Sequence, residues 1–330
     1  MILGSMLSLD LGTTRVDISI DSKIRSLAFL PGETHCIISG EESGVRLRQL
    51  ANNAMGEPIG LSTDVLSVAT SNDGKWIVAG ATDGFTIWNR VPEGGAPVEV
   101  VHRAIRGVRA LDISTDSKWV ITGSDARTAD VWDVSTGERR PGLGPLKHEY
   151  NVVAVKFCPC GKRIATATLF GSVRIYATSS GQKLLTIPVS VMSTFSDPNI
   201  TLAWFANRPQ IFAVSQGQIK CLNSADGSVV YQWPTRGVSH PSSVVLSPNY
   251  KLIAYSINDT VIVRDTATRE QIGDALKHDG NVSCIAFSPG SDHLVVGADT
   301  RFTIWDLGKL LINAAYSPNV RFLLSASYLI

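Results

Sequence analysis

The stretch VRALDISTDSKWVITGSDARTADVWDVSTGE, Val108–Glu138, decides how the rest of the chain is read. It holds three short runs rich in Val, Ile and Thr, in which apolar positions recur with the two-residue period of a pleated strand. Polar turns separate the runs, and the third run ends on Trp132-Asp133 before the turn VSTGE from Val134. No segment shows an apolar period of 3.6 residues, so the stretch reads as a small antiparallel meander and not as a helix.

The same plan recurs along the chain. The first runs are IRSLAFLPG from Ile24, LSVATSNDG from Leu66, VRALDISTD from Val108 and VVAVKFCPCG from Val152. They continue with ITLAWFANRP from Ile200, SVVLSPN from Ser243 and VSCIAFSPG from Val282. Anchored on the turn residues Pro31, Asn72, Thr115, Pro159, Asn207, Pro248 and Pro289, the intervals lie between 41 and 48 residues. Each third run ends in the same slot: clearly at Trp132-Asp133 and Trp305-Asp306, closely at Trp88-Asn89. Degenerate forms stand at Tyr176-Ala177, Leu222-Asn223, Arg264-Asp265 and Arg48-Gln49. A fourth run follows several of these, as in KLLTI from Lys183 and SVVYQW from Ser228.

Four short strands per repeat with a Trp-Asp ending on the third resembles the WD-repeat (WD40) β-propeller family, over essentially the whole chain. It is similar in particular to the degenerate WD-repeat arrays of filamentous fungi, some of which are joined to a nucleoside-triphosphatase signalling module. The resemblance implies an all-β propeller filling residues 1–330 as one domain. A single four-stranded blade buries only one face, so blades must stack around a common axis. The repeat units are expected near 23–63, 64–106, 107–150, 151–198, 199–239, 240–280 and 281–307. In this family one terminus usually lends a strand to close the ring, and RVDISID over 15–21 is expected to do so beside Phe302–Asp306. That gives seven blades. The alternative is a split eighth blade made from SMLSLDLG at Ser5, LINAAYSPN at Leu311 and RFLLSAS at Arg321; otherwise 308–330 is a tail. Against eight stands the 29-residue Pro289–Pro318 interval, which lacks an outer strand.

Many WD repeats bury a hydrogen-bonded set of His, Ser or Thr, Asp and Trp. Here the resemblance points to His278, Asp299 and Trp305, with Ala298 or Gly297 where the hydroxyl is usual. His102 with Trp132 is a poorer set, because Ala126 stands where the Asp belongs. Trp88, Asp133 and Asp306 are expected in structural roles in the same slots.

Composition bounds the function. With 18% charged residues and a formal net charge of +1 over 330 residues, the chain has no global field for nucleic acid or membrane. No apolar stretch reaches the roughly 20 residues of a membrane helix, and the N-terminus lacks the pattern of a secretory signal. A location in the cytoplasm, or the nucleus, is expected. Five cysteines without a CxxC pair make neither a disulfide framework nor a zinc site. No metal or other cofactor is called for.

Three local motifs remain. LDLGTTR, Leu9–Arg15, resembles the first phosphate loop of the actin, sugar-kinase and heat-shock chaperone superfamily. There Asp10 would organise a metal, and Gly12, Thr13 and Thr14 would hold phosphate. With no helices and no second nucleotide motif, a strand and turn is the favoured reading. Cys158-Pro159-Cys160 falls in the turn of the fourth unit, where two thiols are too few for tetrahedral zinc but could form a reactive pair. Arg103, Arg106 and Arg109 cluster on the connection into the third unit, and guanidinium forks suit carboxylate or phosphate.

These observations favour a non-catalytic platform for other proteins or peptides, acidic or phosphorylated ones at the arginines, as the sensing or partner-binding part of a signalling assembly. A propeller hydrolase or lyase would instead need carboxylates, histidines or metal ligands converging on the axis. The inner runs offer only scattered polar residues such as Arg25, Arg109, Asp112 and Lys156.

Overall fold

Runs of β-branched and aromatic residues suit a pleated, half-buried surface, and the Pro, Asn and Gly between them supply turns. A computed structural model describes residues 15–310, apart from 34–35, 51–56, 61–62, 92–94, 170–171, 189–200, 216–217 and 235–242. The segments at Ser5, Leu311 and Arg321 that an eighth blade would use, and the Asp10–Thr14 loop, lie outside the described residues.

Strand β1, Arg15–Ser19, comes first. Blade 1 follows as Ile24–Phe29, Cys36–Glu41, Gly44–Gln49 and Glu57–Gly60 (β2–β5), and blade 2 as Val65–Thr70, Trp76–Ala81, Gly84–Asn89 and Val98–Ala104 (β6–β9). Blade 3 is Val108–Ile113, Trp119–Ser124, Thr128–Asp133 and Leu146–Lys147 (β10–β13). Blade 4 is Val152–Phe157, Arg163–Thr168, Ser172–Ala177 and Lys183–Pro188 (β14–β17). Blade 5 is Thr201–Trp204, Gln210–Ser215, Gln218–Asn223 and Val229–Pro234 (β18–β21). Blade 6 is Val244–Leu246, Leu252–Ile257, Thr260–Asp265 and Leu276–Lys277 (β22–β25). Val282–Phe287, His293–Ala298 and Arg301–Asp306 (β26–β28) make blade 7, whose fourth strand is β1.

The fold is therefore a seven-bladed β-propeller of four-stranded antiparallel sheets. Arg15 pairs with Trp305 and Ser19 with Arg301, so residues near the two ends of the described chain share one blade. An antiparallel meander sorts its connections onto two faces. The upper face carries the links between blades and between second and third strands; the lower face carries the other two kinds.

The core lies between blades. Ile38, Val45, Val65, Val68 and Trp88 form one cluster across blades 1 and 2; Leu252, Val261, Leu276, Leu294 and Trp305 form another across blades 6 and 7. Side chains also tie the innermost strands together. The Ser26 hydroxyl accepts the Val68 amide at 3.0 Å, and Ser67 accepts that of Leu111 at 3.3 Å. Asp112 accepts the Phe157 amide at 2.8 Å, and Ser283 donates to the Ile24 carbonyl at 2.7 Å across the closing seam.

The seams are tight because the second strand of a blade presses on the first strand of the next. A β-carbon on Gly80 would stand 2.6 Å from Val108 Cγ1 and 2.9 Å from the Val108 carbonyl; one on Gly123 would stand 2.7 Å from Val152 Cγ1. Gly40 and Gly297 take the same place in blades 1 and 7. Replacing Gly80 with Ala should therefore cost about 1–3 kcal/mol through overpacking, whereas Gly144→Ala, with open space around it, should leave stability unchanged. Urea denaturation of both variants checks this, and equal midpoints would show that the seam has room.

Candidate functional site

A cavity of about 450 Å³ runs along the axis, lined by the first strands of all seven blades. Its shape owes something to a recurring β-bulge. Register slips at Ile24/Ser26, Val65/Ser67, Val108/Ala110, Val152/Ala154 and Val282/Cys284, so one extra residue enters the first strand of five blades. Bulges re-aim side chains, and the bulged residues Arg25, Leu66, Arg109, Val153 and Ser283 all line the cavity.

The charged side chains in that lining are Arg25, Arg109 and Lys156, and each has a carboxylate. Arg25 reaches Glu42 at 2.8 Å and Asp64 at 3.2 Å. Arg109 holds Asp125 at 2.5 Å, and the same oxygen takes a hydrogen bond from Asn151. Lys156 meets Asp112 at 2.7 Å. Among the described residues no group of three His, Cys, Asp or Glu could hold a metal ion. The channel mouth is thus built of paired charges that brace neighbouring strands.

The buried polar sets differ from blade to blade. In blade 7, His278 packs edge-on to Trp305 with ring centres 6.0 Å apart. Its Nδ1 donates to the Thr303 hydroxyl at 3.3 Å, and Thr303 donates to Asp17 at 2.7 Å. Hydroxyl and carboxylate therefore come from β28 and the closing strand, not from residues 297–299. Asp299 is half exposed, with φ +47°, and lies 3.9 Å from the Lys23 ammonium. In blade 3, the Trp132 indole donates to Thr122 at 2.9 Å, while His102 bonds Thr86 in blade 2, beside the fully buried Trp88, and takes no part in a set with Trp132.

The fullest set is in blade 4, built on His148, which stands in the same Leu-Lys-His context as His278. His148 Nδ1 donates to the Leu146 carbonyl at 2.8 Å, and Nε2 accepts from Thr166 at 2.8 Å and from Tyr176 at 3.3 Å. Tyr176 fills the tryptophan slot. The legible signal was the ten-residue spacing of Thr166 and Tyr176, which matches Thr122 and Trp132.

Asp133 and Asp306 act on the turns that follow them. Asp133 Oδ1 accepts the amides of Ser135 and Thr136 and the Ser135 hydroxyl, and these bonds, that of Ser135 foremost, hold its carboxyl below the usual range. Asp306 accepts the Lys309 amide at the start of a helical turn over 307–310.

The three arginines of the blade 2–3 connection separate in space. Arg103 lies in β9, the outermost strand, with Nε donating to the Gly137 carbonyl at 3.0 Å. Arg109 lies in β10, the innermost, committed to Asp125. Arg106 stands exposed on the upper face between them.

With this geometry in place, the family model described as WD domain, G-beta repeat matches at residues 59–88, 97–133 and 271–306. Each match begins in or beside the outer strand of one blade and ends at the third strand of the next, the same offset that lets β1 close blade 7. The chain is similar to Periodic tryptophan protein 2 of Arabidopsis thaliana, at 25% identity over 82% of this chain and 30% of that protein. It is similar to the guanine nucleotide-binding protein subunit beta of Arabidopsis thaliana, at 24% over 74% of this chain and 54% of the relative. Transcription initiation factor TFIID subunit 5 of Caenorhabditis elegans matches at 25% over 53% and 26%. This chain thus spans about half or less of the length of each. Fold, repeat matches and relatives agree: the protein is a seven-bladed β-propeller that carries WD40 repeats.

Burial pushes the imidazoles of both His148 and His278 down to about 4. Between pH 6.5 and 4 the unfolded chain then binds more protons than the folded one, so stability falls as pH drops through that window and is fully present above it. Going from pH 7 to pH 5 should remove about 2 kcal/mol or more of unfolding free energy. Urea titrations at the two pH values read this, and a double variant His148→Gln, His278→Gln should flatten the difference. An equal pH response in that variant would assign the loss to other groups.

Proposed function

We propose that this propeller is a non-catalytic interaction platform in the cytoplasm, with its upper face engaging an acidic or phosphorylated peptide of a partner protein near Arg106. The observation that carries this reading is the pairing of every charged group in the channel lining with a carboxylate. Such groups hold strands in place, and among the described residues they leave no converging reactive set at the funnel of the kind a propeller hydrolase needs. Relatives whose names make them subunits of larger assemblies, a G-protein and a transcription initiation factor, support the same reading.

Arg106 contributes what its neighbours cannot. Arg103 and Arg109 spend their guanidinium groups on Gly137 and Asp125, whereas Arg106 is exposed on the connection between β9 and β10. A planar fork there can take a carboxylate or phosphate in bidentate fashion. A signalling assembly is a natural setting, since a phosphorylated ligand makes the contact switchable.

Fluorescence anisotropy against acidic and phosphoserine peptides tests the reading. Binding in the wild type should weaken about tenfold in Arg106→Glu, the scale of 1.4 kcal/mol. It should be unchanged in Lys75→Glu, an exposed lysine on the lower face. A partner peptide that binds both variants alike would move the gripping surface elsewhere, and turnover of a phosphoester or ester substrate by the purified chain would overturn the platform.

A further inference from the structure

The lower face repeats one turn between the first and second strands, and it is built the same way blade after blade. In blades 2, 3, 6 and 7 a serine opens it. The amides of Ser71, Ser114, Ser247 and Ser288 bond the carbonyls of Trp76, Trp119, Leu252 and His293. Three residues on, the amides of Gly74, Ser117, Tyr250 and Ser291 return to those serine carbonyls, each with positive φ. A side-chain brace crosses the turn: Ser71 to Asp73 at 2.5 Å, Ser114 to Asp116 at 2.6 Å, Ser247 to Asn249 at 2.7 Å and Ser288 to Asp292 at 2.5 Å.

Blade 4 keeps the backbone and changes the brace. Cys158 N bonds the Arg163 carbonyl, Gly161 N bonds the Cys158 carbonyl, and Gly161 has φ +71°. Where blades 2 and 3 place Ser and Asp two residues apart, and blade 6 Ser and Asn, this one places Cys158 and Cys160, and their sulphurs are joined in a disulfide. The two are unequal: Cys158 is 8% exposed, while Cys160 lies exposed on the turn beside the exposed Lys162. The remaining thiols, Cys36, Cys221 and Cys284, are buried and unpaired.

We propose that Cys158-Pro159-Cys160 is a thiol–disulfide exchange site for low-molecular-weight disulfides of the glutathione class, with Cys160 the sulphur that exchanges and Cys158 the one that resolves. Starting from the dithiol, the Cys160 thiolate attacks one sulphur of the small disulfide. That S–S bond breaks, one small thiolate leaves, and a mixed disulfide forms on Cys160. Cys158 then attacks Cys160 Sγ, the protein disulfide forms, and the second small thiolate leaves. The protons given up by the two cysteines go to the two leaving thiolates, so the protein loses two electrons and the small disulfide gains them. The reverse sequence reduces the turn.

The fold tolerates both states. Four sister blades show the same backbone turn held by a hydrogen bond alone, and a crosslink between residues two apart closes the kind of short loop that removes least chain entropy. Exchange is confined to this pair, because burial pushes the Cys36 and Cys284 thiols up to about 12 and that of Cys221 to about 11, leaving them protonated and covered.

The test equilibrates the full chain in buffers of differing glutathione to glutathione-disulfide ratio, blocks free thiols by alkylation, and maps masses by peptide. Wild type should lose two alkylatable thiols, those of Cys158 and Cys160, as the buffer becomes oxidising. Cys158→Ser should accumulate one glutathione on Cys160, at least ten times the amount found on Cys158 in Cys160→Ser. Adducts of equal size in the two variants, adducts on Cys36, Cys221 or Cys284, or a pair indifferent to the buffer would each overturn the proposal. The double variant Cys158→Ser, Cys160→Asp rebuilds the brace of blades 2 and 3. It should melt as the reduced wild type does and take no adduct, which separates loss of thiol chemistry from loss of fold.

Discussion

Between consecutive blades, the second strand of one lies against the first strand of the next so closely that residues 80 and 123 leave no space for a β-carbon. Everything else depends on that approach. It lets the valines at 65, 108 and 152 seat against glycines of the preceding blade, and it brings the innermost strands within reach of the bonds from Ser26, Ser67, Asp112 and Ser283. A propeller has no single central core. Each seam is its own hydrophobic layer, and the ring holds only when every layer, including the one between Ser283 and Ile24, is closed.

Given tight seams, the slot at the end of each third strand can be filled in several ways. Trp132 fills it and gives its indole N–H to Thr122, and Tyr176 fills it and gives its hydroxyl to His148. In blade 1 the occupant is Arg48, which donates twice to Glu41 Oε1, at 3.0 and 2.7 Å, and lies 5.4 Å from the centre of the Phe302 ring. Both members of that pair are buried, Arg48 at 8% exposure and Glu41 at 0%. A buried charge costs little only when it is paired and hydrogen-bonded, and Ser39 donates a third bond to the same Glu41 oxygen at 2.6 Å. Flat, extended and able to stack on an aromatic ring, a guanidinium does part of what an indole does.

These substitutions explain what the sequence could and could not disclose. The strands, their order and the number of repeats are local properties, written in residues two apart and in turns such as SNDG and SPN, so they are legible without a structure. The turn-capping role of Asp133 is local too. The polar sets are not. Asp17 and Thr303 meet across 286 positions, and only ring closure brings them together, whereas the pattern of the resembled repeats points along the chain to Asp299 for His278. Glu41 could not be recognised as the reason Arg48 is accepted in a tryptophan slot, because the pairing depends on β3 and β4 lying side by side. The three arginines near residue 106 look like one cluster along the chain, yet a connection between blades runs from the outermost strand of one to the innermost strand of the next and carries its ends apart.

The lower-face turn takes this logic a step further. Its backbone is fixed by two hydrogen bonds and a left-handed residue in each of five blades, so the side chains across it are free to vary as long as something spans the gap. Serine with aspartate, serine with asparagine and cysteine with cysteine all do so. Wherever the backbone alone secures a position, the side chain there can acquire chemistry without endangering the fold. In a protein whose channel charges are consumed in bracing its strands, such over-determined turns and the exposed connections above the seams are where chemistry with other molecules has room to develop.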